Sequence, residues 1–476
     1  MTTALATPAT TAAARPDRAP RGVLPVLLTA SFMTALDFFI VNVALADLQR
    51  DLRAGPAALQ WVVAGFGLAL AAGLITGGRL GDRYGRRRVF GAGLALFTAA
   101  SVLCGLAPSA GFLVGARVLQ GAAAALLMPQ ILAILRTAVP PAAQAKAFAQ
   151  YGLTLGLGAV FGQVIGGLLI KADLFGLDWR MCFLINLPIG VAALVRLGAL
   201  PESRQAASKL DVPGVVLVTA ALVALVLPLI QGQELGWPSW TWLSLAGSAA
   251  LFAAFTVHQK RRRHPLVDLD LFRQRDFSIG LVAVQVFWMG QASFFLILAL
   301  YLQFGRGLSA LESGAVFMAI GAGYLLTSII AHRLAARLGP QVVAIGALVM
   351  VAGLAAMAVA AGHGIGWLLP GLAVDGVGMG MALAPLTTAV LAKVAPQHTG
   401  AAAGILSTVN QTGNALGVAL IGIVFYRAAD YTGGFQAGLI ALVVLEIALA
   451  LLIQPLTRRA SPGGRFAAAR PGVHDH

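Results

Sequence analysis

Runs of about 20 consecutive apolar residues recur from Val23 almost to the C-terminus, and a helix of that length crosses the ~30 Å hydrocarbon layer of a bilayer. With clusters of Gly, Pro and charge as boundaries, the segments fall near residues 23–46, 57–76, 89–107, 111–134, 147–170, 181–200, 212–231, 240–258, 277–303, 312–331, 341–361, 365–391, 402–425 and 434–455. A spanning β-barrel would show strands of roughly ten residues with alternating hydropathy. These segments are uniformly apolar, so the expected fold is all-α and polytopic, with fourteen transmembrane helices. Of the 476 residues 11% are charged, against about 25% in soluble domains, which leaves no room for a sizeable soluble domain.

The charge that remains is basic, with a formal net of +15. It sits in short loops rather than on an amphipathic face, so it reads as topology and not as nucleic-acid binding. Numbering the loops alternately, one side holds Arg79, Arg83, Arg86–Arg88, Arg136, Lys146, Arg196, Arg204, Lys209, Lys260–Arg263, Arg273, Arg275, Arg333, Arg337 and Lys393, plus the arginines of both tails. The other side holds Arg50, Arg53, Lys171, Arg180, Arg306 and Arg427. The positive-inside rule then places both termini in the cytoplasm of a cell whose inner membrane the chain spans many times. The first apolar run is too long for a cleaved signal and is expected to stay in place.

Several chemistries are excluded. Cys104 and Cys182 lie inside apolar runs, with no disulfide or metal spacing. No Lys follows a Gly, so the phosphate loop of an ATP-driven pump is absent. No nucleophile–base pair suggests an enzyme. The expected energy source is a proton gradient with no cofactor, and the expected partners are a small-molecule substrate, protons and lipid, with a monomer as the working unit.

A weak internal repeat runs at an offset near 255. Arg79-Leu80-x-x-Arg83-x-Gly85 is echoed by Arg333-Leu334-x-x-Arg337-x-Gly339, and Gly158, Gly162 and Gly167 by Gly413, Gly417 and Gly422. Two six-helix bundles related by an axis along the membrane normal would produce it. The expected units are a tail over 1–22, a bundle over 23–200, a two-span insert over 201–275, a bundle over 276–457 and a tail over 458–476. The insert carries almost no intramembrane charge and reads as packing or spacer.

An ionised side chain in mid-membrane costs at least a few kcal/mol, so each one demands a reason. Asp37 lies in LDFFIVNVAL, Arg117 in ARVLQG, Asp375 in LAVDGVGMG and Glu446 in LVVLEIAL. A carboxylate whose guanidinium neighbour moves, or which meets water, changes protonation, so Asp37 with Arg117 is the expected proton-coupling element. Asp375 is expected in a substrate cavity, binding a substrate cation or a proton, with Gln120, Phe38, Asn42, Gln163 and Gln291 as further lining. Asp82, within Gly78-Arg79-Leu80-Gly81-Asp82-Arg83-Tyr84-Gly85-Arg86, reads as an acid in a tight turn that pairs with another helix. Gly152, Gly156, Gly158, Gly162, Gly166 and Gly167 form a strip without side chains, suited to close helix approach.

At these motifs the chain resembles the major facilitator superfamily, specifically its fourteen-span drug:proton antiporter branch. GGRLGDRYGRRR looks like that superfamily's loop motif between spans 2 and 3, LDFFIVNVAL like the branch's span 1 signature, RVLQG like the span 4 motif and GLGAVFGQVIGG like the span 5 antiporter motif. WRMCFLINLPIG and GAAAGILSTVNQTGNALGVALIG also look like branch signatures. Gln163 departs from the pattern, standing where the family commonly has proline. The resemblance implies a cytoplasmic gate at Gly78, Asp82, Arg83, Gly85 and Arg86, proton coupling at Asp37 and Arg117, and an antiport helix carrying Gly158, Gly162, Gly166 and Gly167. It implies export of hydrophobic or cationic drugs by alternating access. A dedicated exporter of one neutral or anionic metabolite or antibiotic, or a non-transporting membrane receptor, are the competing expectations.

Overall fold

The computed structural model describes residues 22–204, 211–262, 265–267, 269–391, 394 and 399–458. The tails, and with them the expected placement of both termini, lie outside these residues, as do Lys209, Arg263 and Lys393. Among the described residues, fourteen helices are long and apolar enough to cross a membrane: α1 (Val23–Leu52), α2 (Pro56–Tyr84), α3 (Arg86–Gly105), α4 (Ala110–Ala138), α5 (Lys146–Ala172), α6 (Asp178–Val195), α7 (Val212–Glu234), α8 (Ser239–Arg261), α9 (Arg275–Gly305), α10 (Ala310–Ser328), α11 (Gln341–Ala360), α12 (Ile365–Leu391), α13 (Gly404–Tyr426) and α14 (Tyr431–Leu456).

Helix starts follow local chemistry. Pro56 at the first position begins α2, where its missing N–H costs nothing. A Ser309–Glu312 capping box begins α10, and the Asp211 carboxylate accepts from Gly214 N at 3.2 Å to start α7. The expected turn at 78–86 is narrower than the motif. Helix α2 continues through Asp82 and Arg83, and the chain reverses at Gly85 alone, whose φ of +105° suits glycine.

Helices α1–α6 pack among themselves mainly as α2 on α4, α3 on α4 and α1 on α5. Helices α9–α14 pack as α11 on α12, α10 on α12, α9 on α13 and α11 on α14. The internal repeat is visible as geometry. A Cβ at Gly158 of α5 would lie 2.7 Å from Ala35 Cβ of α1, and one at Gly413 of α13 would lie 2.9 Å from the Gln285 carbonyl of α9. Gly167 and Gly422 instead face the opposite half, against Leu311 of α10 and Gln60 of α2.

The apolar core changes character with depth. Toward the face from which the described chain starts and ends, each half has its own cluster, one around Leu27, Phe90 and Ile134, the other around Phe277, Val343 and Ile453. Toward the opposite face one continuous cluster joins both halves, from Ile40 and Leu45 through Leu298 and Phe317 to Phe425. The halves are therefore welded at one end and divided at the other. Helix α7 packs against α2 of one half and α13 of the other, so the insert bridges the two halves.

Candidate functional site

Asp37 lies at the level where the shared core gives way to the divided one, and it is fully buried with Arg117. Arg117 Nη1 is 2.5 Å from Asp37 Oδ2 and 2.8 Å from Gln120 Oε1, while its Nε donates to the Val62 carbonyl at 3.0 Å. The other carboxylate oxygen accepts from Gln120 Nε2 at 2.8 Å and Asn186 Nδ2 at 2.7 Å. Ser101 Oγ takes a second hydrogen bond from each amide, at 3.1 and 2.8 Å, and donates to the Phe183 carbonyl at 2.9 Å. Four helices, α1, α3, α4 and α6, thus meet on one carboxylate, with the α2 backbone holding the arginine. A buried ion pair repays its desolvation only with this degree of hydrogen bonding.

The expected pair is brought together, and Gln120 belongs to it rather than to a cavity wall, because all of its polar atoms are spent inside the network. Asn186 and Ser101 escaped the sequence reading. Asn186 stands in the quoted WRMCFLINLPIG motif, where an amide mid-way along an apolar helix was the available signal; Ser101 offers none, since serines are common in membrane helices.

Arg117 also lies against an aromatic face, its Cζ 4.5 Å from the Phe66 ring centre. Phe66 contacts Phe38 at 5.9 Å between centroids. Phe38 lines a narrow crevice between the halves, too tight to hold a water molecule, together with Val63, Gly67, Ala292, Asn414 and Val418. Its neighbour Phe39 meets Phe295 of the second half at 5.1 Å, and Phe295 stacks on Phe317. Of the expected cavity residues, Phe38 alone lines this crevice. Gln163 is buried at the contact of α5 with α10, with both side-chain amide atoms unpartnered.

Asn42 takes part in a different contact. Helix α1 tightens to a 3₁₀ turn over Val41–Ala44, and α9 ends in a π-helical turn over Tyr301–Gly305. Gln303 from that turn donates to the Asn42 carbonyl at 3.1 Å and accepts from Ala46 N at 3.1 Å. One side-chain amide from the second half is thus inserted between backbone groups four residues apart in the first, at the welded end. Gln303 had no signal in the sequence.

Asp375 and Gln291 sit within the second half, 3% and 6% exposed, and neither lines the crevice. A buried side chain there has no open path to a cation in this conformation, which departs from the cavity role expected of it.

At the divided end, Asp82 pairs with Arg86 of α3, Nη2 at 2.9 Å and Nε at 3.2 Å, and Arg86 reaches the Ala133 carbonyl of α4. The expected partner on another helix is there, but within one half. Arg83 lies over its neighbour Tyr84. A tie that leaves the first half comes from Arg79, which donates to the Pro265 carbonyl in the stretch of the insert that follows α8. Gly78 contacts Pro129 of α4, and Gln130 donates to the Gly77 carbonyl at 2.7 Å. Glu202, which no motif marks, accepts from Arg87 N at 3.2 Å and lies where a Cβ on Gly85 would go.

The sequence profile described as Major Facilitator Superfamily matches residues 27–418 and 280–472. The probable actinorhodin transporter of Streptomyces coelicolor is 40% identical over 436 residues, covering 87% of this chain and 74% of that protein. The multidrug resistance protein Stp of Mycobacterium tuberculosis is 33% identical over 398 residues, 83% of this chain and 73% of that protein. Among solved structures, a POT family transporter in complex with a thioalcohol-conjugated peptide superposes with a TM-score of 0.69 over 92% of this chain and 96% of that one, at 16% identity, a likeness of fold.

Proposed function

This chain belongs to the Major Facilitator Superfamily, a family of transporters rather than enzymes, and from that premise we propose that it is a proton-coupled antiporter exporting hydrophobic small molecules by alternating access. Relatives named for drug resistance and for an antibiotic support efflux as the direction. The observation that carries proton coupling is the sealed Asp37–Arg117 pair, one aromatic ring removed from the crevice between the halves.

The ionised carboxylate holds Arg117, Gln120 and Asn186 in one arrangement. A proton on Asp37 cancels its charge, while the guanidinium keeps its own. Arg117 then has no counter-charge and must shift, and Phe66 and Phe38 shift with it. Crevice shape and protonation state are in this way linked by direct contact. The divided core supplies the entry, on the side that carries most of the lysines and arginines and is therefore the cytoplasm. Substrate enters there against ionised Asp37; after the halves rock, a proton from outside weakens its hold. The Arg79–Pro265 tie and the Asp82–Arg86 pair would work as the cytoplasmic gate, and Gly158, Gly162 and Gly166 would let α1 and α5 move as one unit.

The test is transport of a lipophilic cation such as ethidium in proteoliposomes with an imposed pH gradient. Gradient-driven transport by the wild type, abolished in a folded Asp37→Asn variant, supports the antiporter. Transport that ignores the gradient overturns it. A second reading, a dedicated exporter of one aromatic metabolite or antibiotic, is favoured by the lining of the crevice, which holds Phe38 and Asn414 and no acid. Failure of every cation tried, with transport of a neutral aromatic compound, selects it.

A further inference from the structure

The second half contains two buried acids that the scheme above does not use. Asp375 of α12 and Glu446 of α14 are 3% and 2% exposed. Among the described residues, Asp375 Oδ2 and Glu446 Oε2 meet no hydrogen-bond donor or acceptor, nor does Oε1 of Gln291 on α9. Glu446 Oε1 lies over Gly290, where an added Cβ would come within 2.9 Å of it, and Asp375 packs its backbone against Gly353 of α11. Gln291 Nε2 reaches Met350 Sδ of α11 at 3.6 Å, one turn from Gly353, so the helices carrying Gln291, Asp375 and Glu446 converge on one level of α11.

No cation answers them. Among the described residues the buried arginines are Arg86 and Arg117, both in the first half. The charged or titratable side chains on the helices packed around the pair are Arg275, Asp276 and Tyr301 on α9, Glu312 and Tyr324 on α10, Tyr426 on α13 and Tyr431 on α14. All but Tyr324 stand at or near helix ends, and α11 contributes none.

The repeat gives the cluster a second meaning. At an offset of 254 Asp37 maps onto Gln291, and at 255 Gln120 maps onto Asp375. The two halves place an acid and an amide on the same pair of helices, with the two exchanged.

We propose that Asp375 and Glu446, with Gln291 beside them, form a second proton-binding site of the protein, holding on each acid at neutral pH a proton that no arginine replaces. Neither acid has a counter-cation, and a carboxyl group so placed in an apolar interior keeps its proton, one on each. The bearing of this site on transport rests on the antiporter reading; its protonation does not.

The experiment is infrared spectroscopy of the full chain in lipid nanodiscs at neutral pH, reading the stretch of protonated carboxyl groups. The expected result is a band in the wild type that persists in Asp37→Asn and is lost in Asp375→Asn/Glu446→Gln. Absence of the band from the wild type, or its survival in the double variant, overturns the proposal. Should the double variant not fold, each single variant is expected to shift the band, because its hydrogen-bonding partner has changed, and two unshifted spectra overturn it equally. A band that behaves as expected in a protein showing no proton-driven transport would leave this site standing and remove the antiporter reading instead.

Discussion

The mid-depth polar cluster on α1, α3, α4 and α6 and the one on α9, α11, α12 and α14 occupy corresponding places in the two halves, yet they are balanced by opposite means. In the first, every oxygen of Asp37 meets a donor and a guanidinium cancels its charge. In the second, one carboxyl oxygen of each acid and the amide oxygen of Gln291 are left over, whereas the first leaves over only Arg117 Nη2 and Asn186 Oδ1 around its carboxylate, and among the described residues the second has no buried guanidinium. The difference teaches that burial alone does not define a coupling acid. On the proposed mechanism, the carboxylate tied to arginine is the one that exchanges a fixed partner for a proton, whereas the acids without one belong to the second site proposed above.

The comparison breaks most readily at Asp37. Replacing it by Asn leaves Arg117 buried without a counter-charge, so a stability loss of ~3–5 kcal/mol is expected in thermal or denaturant unfolding in detergent. A loss near zero would place Arg117 in contact with water. Gln303→Leu should remove two hydrogen bonds from the welded end, ~1–2 kcal/mol in favour of separation. Spin labels at the exposed Arg53 and Arg427, one in each half, should report a longer distance in that variant; an unchanged distribution would mean that the apolar core alone holds the halves.

A carboxylate outside the spans gives a smaller reference effect. Burial works against ionisation of Asp211, but hydrogen bonds from His258, Gln259 and Gly214 hold it below the usual value of 3.8. Its stabilising contribution is therefore complete above that value and is lost as the pH falls through the lower folded one. The advantage of wild type over Asp211→Asn should be full at neutral pH and vanish in acid; an advantage unchanged across that range would assign the effect to packing. Smallest of all should be Asp375→Asn or Glu446→Gln, within about 1 kcal/mol of wild type, because each exchanges a neutral acid for a neutral amide. Should either cost as much as Asp37→Asn, the two clusters are balanced alike after all.

The fourteen spans were legible because an apolar run of membrane length has few alternative readings, and the structure moves mainly their ends, such as α6 starting at Asp178 instead of near 181. The Asp37–Arg117 pair was legible for the same reason: a charge in such a run is conspicuous. Its neutral supports were not, since Asn186 and Ser101 resemble any other polar residue in a membrane helix. Contacts between distant segments were least legible. The partner of Gln303 lies 257 and 261 residues away in the chain, and nothing local announces it. For Asp375 the sequence shows that it lies in a membrane but not which way its helix faces.

The inserted amide of Gln303 has one further consequence, for the speed of the cycle. It stands between Asn42 O and Ala46 N, the two groups that an uninterrupted α-helix would join directly. When the halves part, the backbone can close its own bond as the amide leaves, winding the tight turn back into regular helix. No main-chain group is stranded in an apolar medium, where each would cost several kcal/mol. The released amide meets the water that enters the opening vestibule. In the alternating-access cycle proposed above, the latch thus keeps its backbone hydrogen-bonded through the stroke, and parting costs the exchange of the two Gln303 bonds for water beside the loss of the apolar contacts around it.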